Sequence, residues 1–468
     1  MMNTMIILSM KKYMPIVILA LLLTGCERDI EDLKPASYPA IPEVFIDGFS
    51  AGLNYAAFGG SVPTAFDVDH EVTWNNSETS MRIEVPDAND PRGAYAGGVY
   101  FTEVGRDLSG YNVLTFWAKA SRSASVDLVG FGNDLGESKY QVTISGLKLN
   151  SSWKKYYIPI PDPSRLTAER GMFMYSEGPE NGEGYTFWID EVKFEKLATI
   201  AHGKYAILNG LDITETSFTG ITKALDGMSS VFNLPEGIDQ KVDAAPAYFE
   251  FSSSDESIAT VDESGNVTVV GGPGTAIITA TMGGVKAAGS LTIQSLGIFS
   301  HAPVPSHAPG DVISLFSDTY SNVPVNYYNG YWAPYQTTLS ADFTVNGDNV
   351  LYYINFNFVG IEFTSPTIDA SAMTHLHADI YFPNTLNPGA QFKFQLVDAG
   401  ADGVLGNADD AKHTLTFTSP TLVSQDWISF DIPLSNFTGL TSKGHLAQLI
   451  FEGTNIPGFY ADNIYFHK

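Results

Sequence analysis

Short segments of alternating apolar and polar residues fill the chain after residue 42, and Gly, Asn, Asp and Pro separate them. In one such segment, Tyr140, Val142 and Ile144 recur with a period of two. This is the period of a β-strand, whereas an amphipathic helix repeats every 3.6 residues. Residues 113–118 are apolar in both phases, which is typical of a central strand in a β-sandwich. The pattern predicts an all-β chain.

Five sequence motifs occur in the same order near both ends of the chain. The corresponding pairs are 45–49 with 315–320, 98–102 with 360–364, 114–118 with 375–380, Trp153 and 157–160 with Trp427 and 431–434, and 187–192 with 459–464. An internal repeat of this length indicates two related structural units. The sequence therefore predicts two related sandwiches with a further domain between them.

The repeated motifs resemble the jelly-roll carbohydrate-binding modules of bacterial glycoside hydrolases and surface glycan-binding proteins. The resemblance covers about residues 43–197 and 303–468. It implies that each of these regions is a jelly-roll sandwich and that at least one of them binds a glycan.

Between the repeats, the segments 251–262, 265–269 and 274–280 resemble a bacterial group 2 immunoglobulin-like domain, which we place at residues 203–295. Such domains commonly act as spacers, and this resemblance implies the same role here. An adhesive contact is the alternative.

The first 26 residues have the features of a lipoprotein signal peptide. Lys11 and Lys12 precede an apolar run over 14–23, which is too short to span a bilayer. Small residues follow this run and lead to Cys26, as in a lipobox. We expect Cys26 to be lipidated and to anchor the chain stably. A core helix that ends in Cys is the alternative. A linker follows over 27–42, and its first charged residues resemble the acidic tether of Bacteroidota lipoproteins that reach the cell surface: Glu27, Arg28, Asp29, Glu31 and Asp32. This resemblance implies an outer-membrane location, and a charged solvated linker is the alternative.

The formal net charge of −27 limits the partners of the chain. A negative surface repels the phosphates of nucleic acid and disfavours anionic polysaccharides, whereas it leaves the binding of a neutral glycan unaffected. The charge therefore excludes nucleic acid and favours a neutral polysaccharide.

Aromatic residues in polar loops are the candidate sugar-binding groups, because aromatic faces pack on the C–H bonds of a pyranose. Gly, Pro and Asn interrupt residues 326–335, so the rings in this segment do not all fit into a regular strand. The predicted ligand-binding residues are Trp332, Tyr331, Tyr335, Tyr327 and, in the first sandwich, Trp74. The alternative is that these rings cover the ends of the cores. We assign Trp117 and Trp153 to packing.

Two pairs of aspartates lie in the opening and closing strands of the predicted sandwiches. They are Asp47 with Asp190 and Asp318 with Asp462. Two neighbouring carboxylates repel each other unless a cation neutralises them. The resemblance to jelly-roll modules implies a structural Ca²⁺ at this place. Solvated or turn-capping aspartates are the alternative.

The Glu-x-Asp-x-x-Glu motif of laminarinase-type glucanases does not occur in the sequence. We therefore expect a non-catalytic lipoprotein that binds a neutral β-glucan such as laminarin beside an outer-membrane glycan uptake transporter pair. A glycoside hydrolase or lyase with an unrecognised active site, and a structural or adhesive surface protein, are the alternatives.

Overall fold

The structure is a computed structural model that describes residues 38–200, 203–234, 237–345 and 347–468. The predicted signal peptide with Cys26, and most of the predicted linker, lie outside the described residues. Within the described ranges, no helix has the length and hydropathy required to cross a membrane.

The contacts of the chain define two compact units. Unit 1 contains the residues up to His202 together with Phe232–Ala245, and unit 2 contains Gly203–Val231 and Pro246–Lys468. The segment 232–245 thus belongs to unit 1, although it falls in the sequence range predicted for the immunoglobulin-like domain. Strands are numbered β1 to β32 in chain order.

Unit 1 is a sandwich of two sheets. Sheet 1 has the order β3-β4-β11-β6-β9, with β1 paired to β11. Its strands are β1 Glu43–Phe45, β3 Phe66–Asp69, β4 Ser80–Val85, β6 Val113–Ala120, β9 Lys154–Pro159 and β11 Tyr185–Glu195. Sheet 2 runs β16-β8-β7-β10-β5-β2 within this unit. Its strands are β2 Leu53–Ala57, β5 Ala96–Arg106, β7 Ala124–Phe131, β8 Val142–Leu149, β10 Glu169–Glu177 and β16 Asp239–Ala244.

Strand β6 illustrates how the sequence pattern produces the sandwich. Leu114, Phe116 and Ala118 are buried, because alternate residues of a strand point to the same face and this face lies on the core. Trp117 and Lys119 have the opposite phase and are only half-buried on the outer face of sheet 1.

The immunoglobulin-like region of unit 2 also consists of two sheets. Sheet 3 has the order β13-β22-β20-β17, with β21 paired to β20, and sheet 4 has the order β14-β19-β18. The strands of this region are β12 Lys204–Ala206, β13 Asp212–Ser217, β14 Thr222–Ala224, β15 Ser229–Asn233, β17 Glu250–Ser253, β18 Ala259–Val261, β19 Asn266–Val269, β20 Gly274–Met282, β21 Val285–Lys286 and β22 Ser290–Ser295. Strand β12 pairs with the first residues of β15.

The C-terminal sandwich of unit 2 has the order β24-β25-β32-β27-β30 in sheet 5, with β23 paired to β32, and β26-β31-β28-β29 in sheet 6. Its strands are β23 Val312–Phe316, β24 Leu339–Val345, β25 Asp348–Ile354, β26 Phe358–Glu362, β27 His375–Tyr381, β28 Gln391–Asp398, β29 Ala411–Phe417, β30 Trp427–Pro433, β31 Leu446–Thr454 and β32 Gly458–His467. Phenylalanines dominate the core between the two sheets, as Phe392, Phe394, Phe451 and Phe459 show.

The internal repeat is visible in the strand pairing. The opening strand of each sandwich pairs with its last strand, β1 with β11 and β23 with β32. Each last strand is irregular directly after an aspartate, where Glu191 has φ 47° and Asn463 has φ 49°. Such a local irregularity re-aims a side chain within a sheet. The predicted fold class is confirmed: the chain is all-β, with two jelly-roll sandwiches flanking an immunoglobulin-like sandwich.

Candidate functional site

Sheet 6 of the C-terminal sandwich turns one side to the core and the other to solvent. On the outer side, direct strand neighbours form two rows across the sheet. We call these residues the open face: Gly360, Ile450, Gln395 and Thr414 in one row, and Glu362, Gln448, Val397 and Lys412 in the next. The open face therefore combines amides, a carboxylate and an ammonium group with apolar side chains.

Trp332 lies on this face because Gly360 has no side chain. A β-carbon at Gly360 would lie 2.2 Å from Cη2 of the Trp332 indole, so the ring rests on the strand backbone. The neighbouring Phe358 ring lies 6.3 Å from the indole between centroids. The Trp332 N–H donates to Gln336 Oε1 at 3.1 Å, which fixes the loop. The predicted residue Trp332 is half-buried at the wall of the open face and does not point into the core.

A chain of hydrogen bonds joins Trp332 to Glu362 and Gln448 of the open face. Its indole N–H donates to Tyr327 Oη at 3.2 Å, and the Tyr327 hydroxyl donates to Glu362 Oε2 at 2.7 Å. Gln448 Nε2 donates to the same carboxylate oxygen at 2.8 Å. Connected polar side chains hold each other in one geometry. The structure thus brings the predicted residues Trp332 and Tyr327 together.

The open face and the loop between β28 and β29 enclose a cavity of about 880 Å³. The loop contributes residues 403–407 and Asp410, opposite Glu362 and Gln448. Asp410 Oδ2 accepts from the Gly406 N–H at 2.7 Å, whereas its Oδ1 is buried and has no hydrogen-bond partner among the described residues. A buried acceptor without a partner is costly, and a ligand hydroxyl would reach it only if the loop moved.

None of the four predicted residues of this loop lines the cavity itself. Trp332 and Tyr327 border it through the hydrogen bond to Glu362, whereas the other two have no such link to it. Tyr331 is 55% exposed and Tyr335 is 78% exposed, and neither lines it. Tyr331 has φ 46°, a backbone conformation that is uncommon for a bulky residue. These two rings are therefore available to solvent without sharing a surface with Glu362 and Gln448.

In unit 1, Trp74 packs on the outer face of sheet 1. Its ring stacks on Trp117 with 3.6 Å between centroids and an angle of 18°, and it meets Trp153 edge-on at 6.4 Å. All three rings are half-buried. We call these three residues the tryptophan cluster. The sequence analysis assigned Trp117 and Trp153 to packing. Lys119 lies on the same face of β6 as Trp117, and its charge was the signal that this face points outward.

The loop that carries Trp74 is held by a buried carboxylate. Asp190 is 0% exposed, and its Oδ2 accepts from the Trp74 N–H at 2.8 Å. The Ser77 hydroxyl donates to Asp47 Oδ1 at 2.6 Å and lies 3.3 Å from Asp190 Oδ1. Burial raises the pKa of Asp190, whereas the Ser77 hydrogen bond lowers the pKa of Asp47. Backbone N–H groups and the Ser77 hydroxyl therefore already donate hydrogen bonds to the carboxylates of this predicted pair. Asp47 is the exposed member, so a cation would reach its carboxylate first.

The second predicted pair, Asp318 and Asp462, lines a cavity of about 320 Å³ together with Asp348. Asp462 is 5% exposed, and burial raises its pKa to about 7, with further contributions from Asp348, Asp379 and Asp318. Oxygen donors with excess negative charge are the chemistry that Ca²⁺ prefers. However, the described residues include no group of three or more His, Cys, Asp or Glu side chains arranged to hold a metal ion, so backbone or water oxygens would have to complete a site here.

Two regions of the chain match protein families. Residues 47–196 match the family Carbohydrate binding domain 30, and residues 244–284 match the family Intimin, immunoglobulin-like domain. No curated protein matches the chain at a significant level.

Solved structures similar to parts of the chain include carbohydrate-binding modules. The family 30 module of the cellulosomal cellulase Cel9D-Cel44B of Clostridium thermocellum is 18% identical over 34% of this chain and 96% of that chain, with a TM-score of 0.23. The family 11 module of Clostridium thermocellum, in complex with a β-1,3-1,4-mixed-linked tetrasaccharide, is 17% identical over 29% and 84%, with a TM-score of 0.22. The CBM22-1–CBM22-2 tandem of Paenibacillus barcinonensis Xyn10C is 10% identical over 93% and 99%, with a TM-score of 0.21. These identities and TM-scores are too low to support an assignment of the fold, which rests on the sheets described above.

The family matches confirm the predicted resemblance in its coarser form. The first sandwich is similar to carbohydrate-binding domains, and the middle region is similar to an immunoglobulin-like domain.

Proposed function

We propose that the protein binds a neutral polysaccharide and does not cleave it, and that the open face of sheet 6 is a binding site. The observation that carries the proposal is the cavity on the open face, where Glu362, Gln448 and Asp410 line one surface. Tyr327 joins Glu362 of this lining to the Trp332 indole by hydrogen bonds. Sugar sites use aromatic faces for the C–H bonds of the ring and amides or carboxylates for its hydroxyls. The match of residues 47–196 to a carbohydrate-binding family supports the same ligand class.

The charge of the chain supports a neutral ligand. At a net charge of −27, an anionic polysaccharide would be repelled, whereas a neutral β-glucan such as laminarin would not. The Glu362 carboxylate also accepts from three donors of the protein itself, Tyr327, Gln448 and Thr364, which favours a holding role over an acid–base role.

The tryptophan cluster of unit 1 is the second proposed binding surface. Three indoles gathered on the outside of a sheet provide flat apolar area at a place where the sandwich core does not need it. Two binding surfaces on one chain raise the apparent affinity for a polymer even if each one is weak.

The proposed setting is the cell surface. Lipidation at Cys26 would anchor the chain in the outer membrane of a Bacteroidota species, where it would pass glycan to an uptake transporter pair. A structural Ca²⁺ would bind at Asp318 and Asp462, and by analogy at Asp47 and Asp190, where it would offset carboxylate repulsion.

A glycoside hydrolase is the second candidate, because Glu362 and Asp410 are two carboxyl groups that line one cavity. Release of reducing sugar by the purified chain, with loss of that activity in Glu362→Gln, would establish it. An adhesive role is a third candidate, which the intimin-type match at 244–284 favours.

Affinity electrophoresis tests the proposed function. Gels containing laminarin, mixed-linkage glucan, xylan, mannan or alginate are run with the wild type, Trp332→Ala and the control Val304→Ala, which changes an exposed side chain outside the open face. We expect retardation by a neutral β-glycan, weakened by roughly 1 to 3 kcal/mol in Trp332→Ala, as for the loss of a central aromatic anchor. Retardation by alginate alone, or by no glycan at all, would refute the proposal.

A further inference from the structure

A second cavity of unit 2 lies between the immunoglobulin-like region and the C-terminal sandwich. Its volume is about 740 Å³, within the range of roughly 300 to 1,000 Å³ that small-molecule sites occupy. We call it the junction groove. The immunoglobulin-like wall includes Glu215, Lys223 and Val269, and the sandwich wall includes Tyr352 and Asn384.

The two walls of the junction groove are held by aromatic packing. Phe218 and Phe299, on the immunoglobulin-like side, pack with Phe343, Tyr381 and Tyr460 of the sandwich in one buried cluster. The Phe218 and Phe299 rings meet edge-on at 4.9 Å, and Phe299 lies 5.1 Å from Phe343. Close-packed aromatic contacts of this kind leave little freedom between the elements that they join. The groove is therefore formed before any ligand arrives.

An aromatic ring lines the groove. Tyr352 stacks on Tyr460 with 4.1 Å between centroids and an angle of 9°. Tyr460 is 2% exposed, whereas Tyr352 is only half-buried, so the stack covers one face of the Tyr352 ring. Both rings line the groove, and the partly exposed Tyr352 is the one that a ligand can cover.

Polar groups of both walls surround this ring. Glu215 and Lys223 form an ion pair, so together they add no net charge to the groove. The Thr216 hydroxyl donates to Asn384 Oδ1 at 2.9 Å, which leaves the Asn384 NH₂ group to donate to a ligand. Asn355 and Gln294 add two more amides. This combination of one partly exposed ring, several amides and no net charge matches an uncharged ligand with many hydroxyls.

We infer that the junction groove is a second site in unit 2 for a neutral oligosaccharide segment. The inference rests on the proposed function and deepens it, because it gives the immunoglobulin-like region a direct part in binding instead of the spacer role that its resemblance implies. A polymer could then contact the same compact unit at the open face and at the groove.

Hydrogen–deuterium exchange and calorimetry with laminarihexaose, cellohexaose and xylohexaose, on the whole chain, test this inference. The variants are Thr214→Trp, which fills the groove from an exposed position, and Asn384→Ala, which removes an amide. Val285→Ala, an exposed position of the same region that does not line the groove, is the control. Each groove variant is also combined with Trp332→Ala, because this substitution weakens binding at the open face and leaves the contribution of the groove to be measured.

We expect one of the hexasaccharides to slow exchange in 212–217 and 354–357. We expect Thr214→Trp and Asn384→Ala to abolish that protection and to weaken the binding that remains in Trp332→Ala by about tenfold, which is 1.4 kcal/mol. Protection confined to sheet 6, with both groove variants binding like the wild type, would overturn the inference and leave the proposed function intact. Absence of all hexasaccharide and polysaccharide binding would instead reject the proposed function.

Discussion

Trp74 and Trp117 stack in unit 1 at 3.6 Å and 18°, although one lies in a loop and the other in a central strand. The contact depends on Asp190, whose carboxylate accepts the Trp74 N–H from below the loop. The tryptophan cluster therefore depends on the loop that carries Trp74, on the buried carboxylate of Asp190, and on the outward-facing position of Trp117 in β6.

Replacing either ring with Phe tests the stack. Two coupled indoles give a paired signal in near-UV circular dichroism, and we expect both Trp74→Phe and Trp117→Phe to remove the same signal, because each removes one member of the pair. Trp188→Phe is the control, because its indole N–H is bonded to Asp69 away from the stack. If Trp117→Phe leaves the signal of Trp74 unchanged, the stack does not exist in solution.

Gly360 controls the position of Trp332 in the open face. Gly360→Ala places a methyl group 2.2 Å from the present indole position, so the ring must move. We expect the affinity for the retarding glycan to fall by roughly 1 to 3 kcal/mol, while the sandwich loses about 1 to 3 kcal/mol of stability through overpacking. Gly310→Ala is the matched control, because a β-carbon there meets no atom within 4 Å. Calorimetric titration and thermal unfolding measure the two effects, and unchanged affinity in Gly360→Ala would exclude Trp332 from the site.

Asp410 lines the cavity with a carboxylate whose Oδ1 has no hydrogen-bond partner among the described residues. We expect Asp410→Ala to lower glycan affinity by about 1.5 to 3 kcal/mol, the value of a hydrogen bond to a charged group. Its effect on stability has two opposite parts, because it removes the bond between Gly406 N–H and Oδ2 and also removes the buried, unpartnered Oδ1. Asp402→Ala, in the same loop, is the comparison, because its carboxylate is bonded to Val404 N–H and Asn407 Nδ2 and does not line the cavity. Equal affinities of the two variants would show that Oδ1 does not bind sugar.

The sequence predicts the fold class well because period-two alternation is local information. In β6, the alternating residues Leu114, Phe116 and Ala118 point into the core. The internal repeat then predicts the same strand in the second sandwich. Residues 232–245 belong to unit 1 because β16 pairs with β8, and such pairing between distant segments leaves no signal in the local pattern.

The site could be predicted only in part. An interrupted aromatic segment predicts that some rings avoid a regular strand, which led to Trp332 and Tyr327. Their partners Gly360 and Glu362 come from a distant strand, so register rather than composition brings them together. The orphan oxygen of Asp410 depends on the exact path of a loop, and no residue pattern encodes that path.

Asp462 makes the stability of the C-terminal sandwich depend on pH. Burial, with the nearby aspartates 318, 348 and 379, raises its pKa to about 7, well above the value of about 3.9 for an unfolded chain. The folded state therefore favours the protonated carboxyl, so this contribution to stability is fully present below about pH 4 and is lost as the pH rises through about 7. Ionising the group at pH 8 costs of the order of 4 kcal/mol, from about three pKa units at 1.36 kcal/mol each.

We expect Asp462→Asn to raise the unfolding free energy at pH 8 and to remove this part of the pH dependence, as urea titrations at pH 5 and pH 8 measure. Glu169 and Glu177 have pKa values of about 7 in unit 1, so unfolding is followed by hydrogen exchange in β32 to isolate unit 2. Ca²⁺ distinguishes a metal site from a merely buried acid: at pH 8 it should stabilise the wild type and not Asp462→Asn, because a cation offsets the ionised carboxylates. Equal effects of Ca²⁺ on both chains would remove Asp462 from any cation site, because binding that ignores this carboxylate must lie elsewhere.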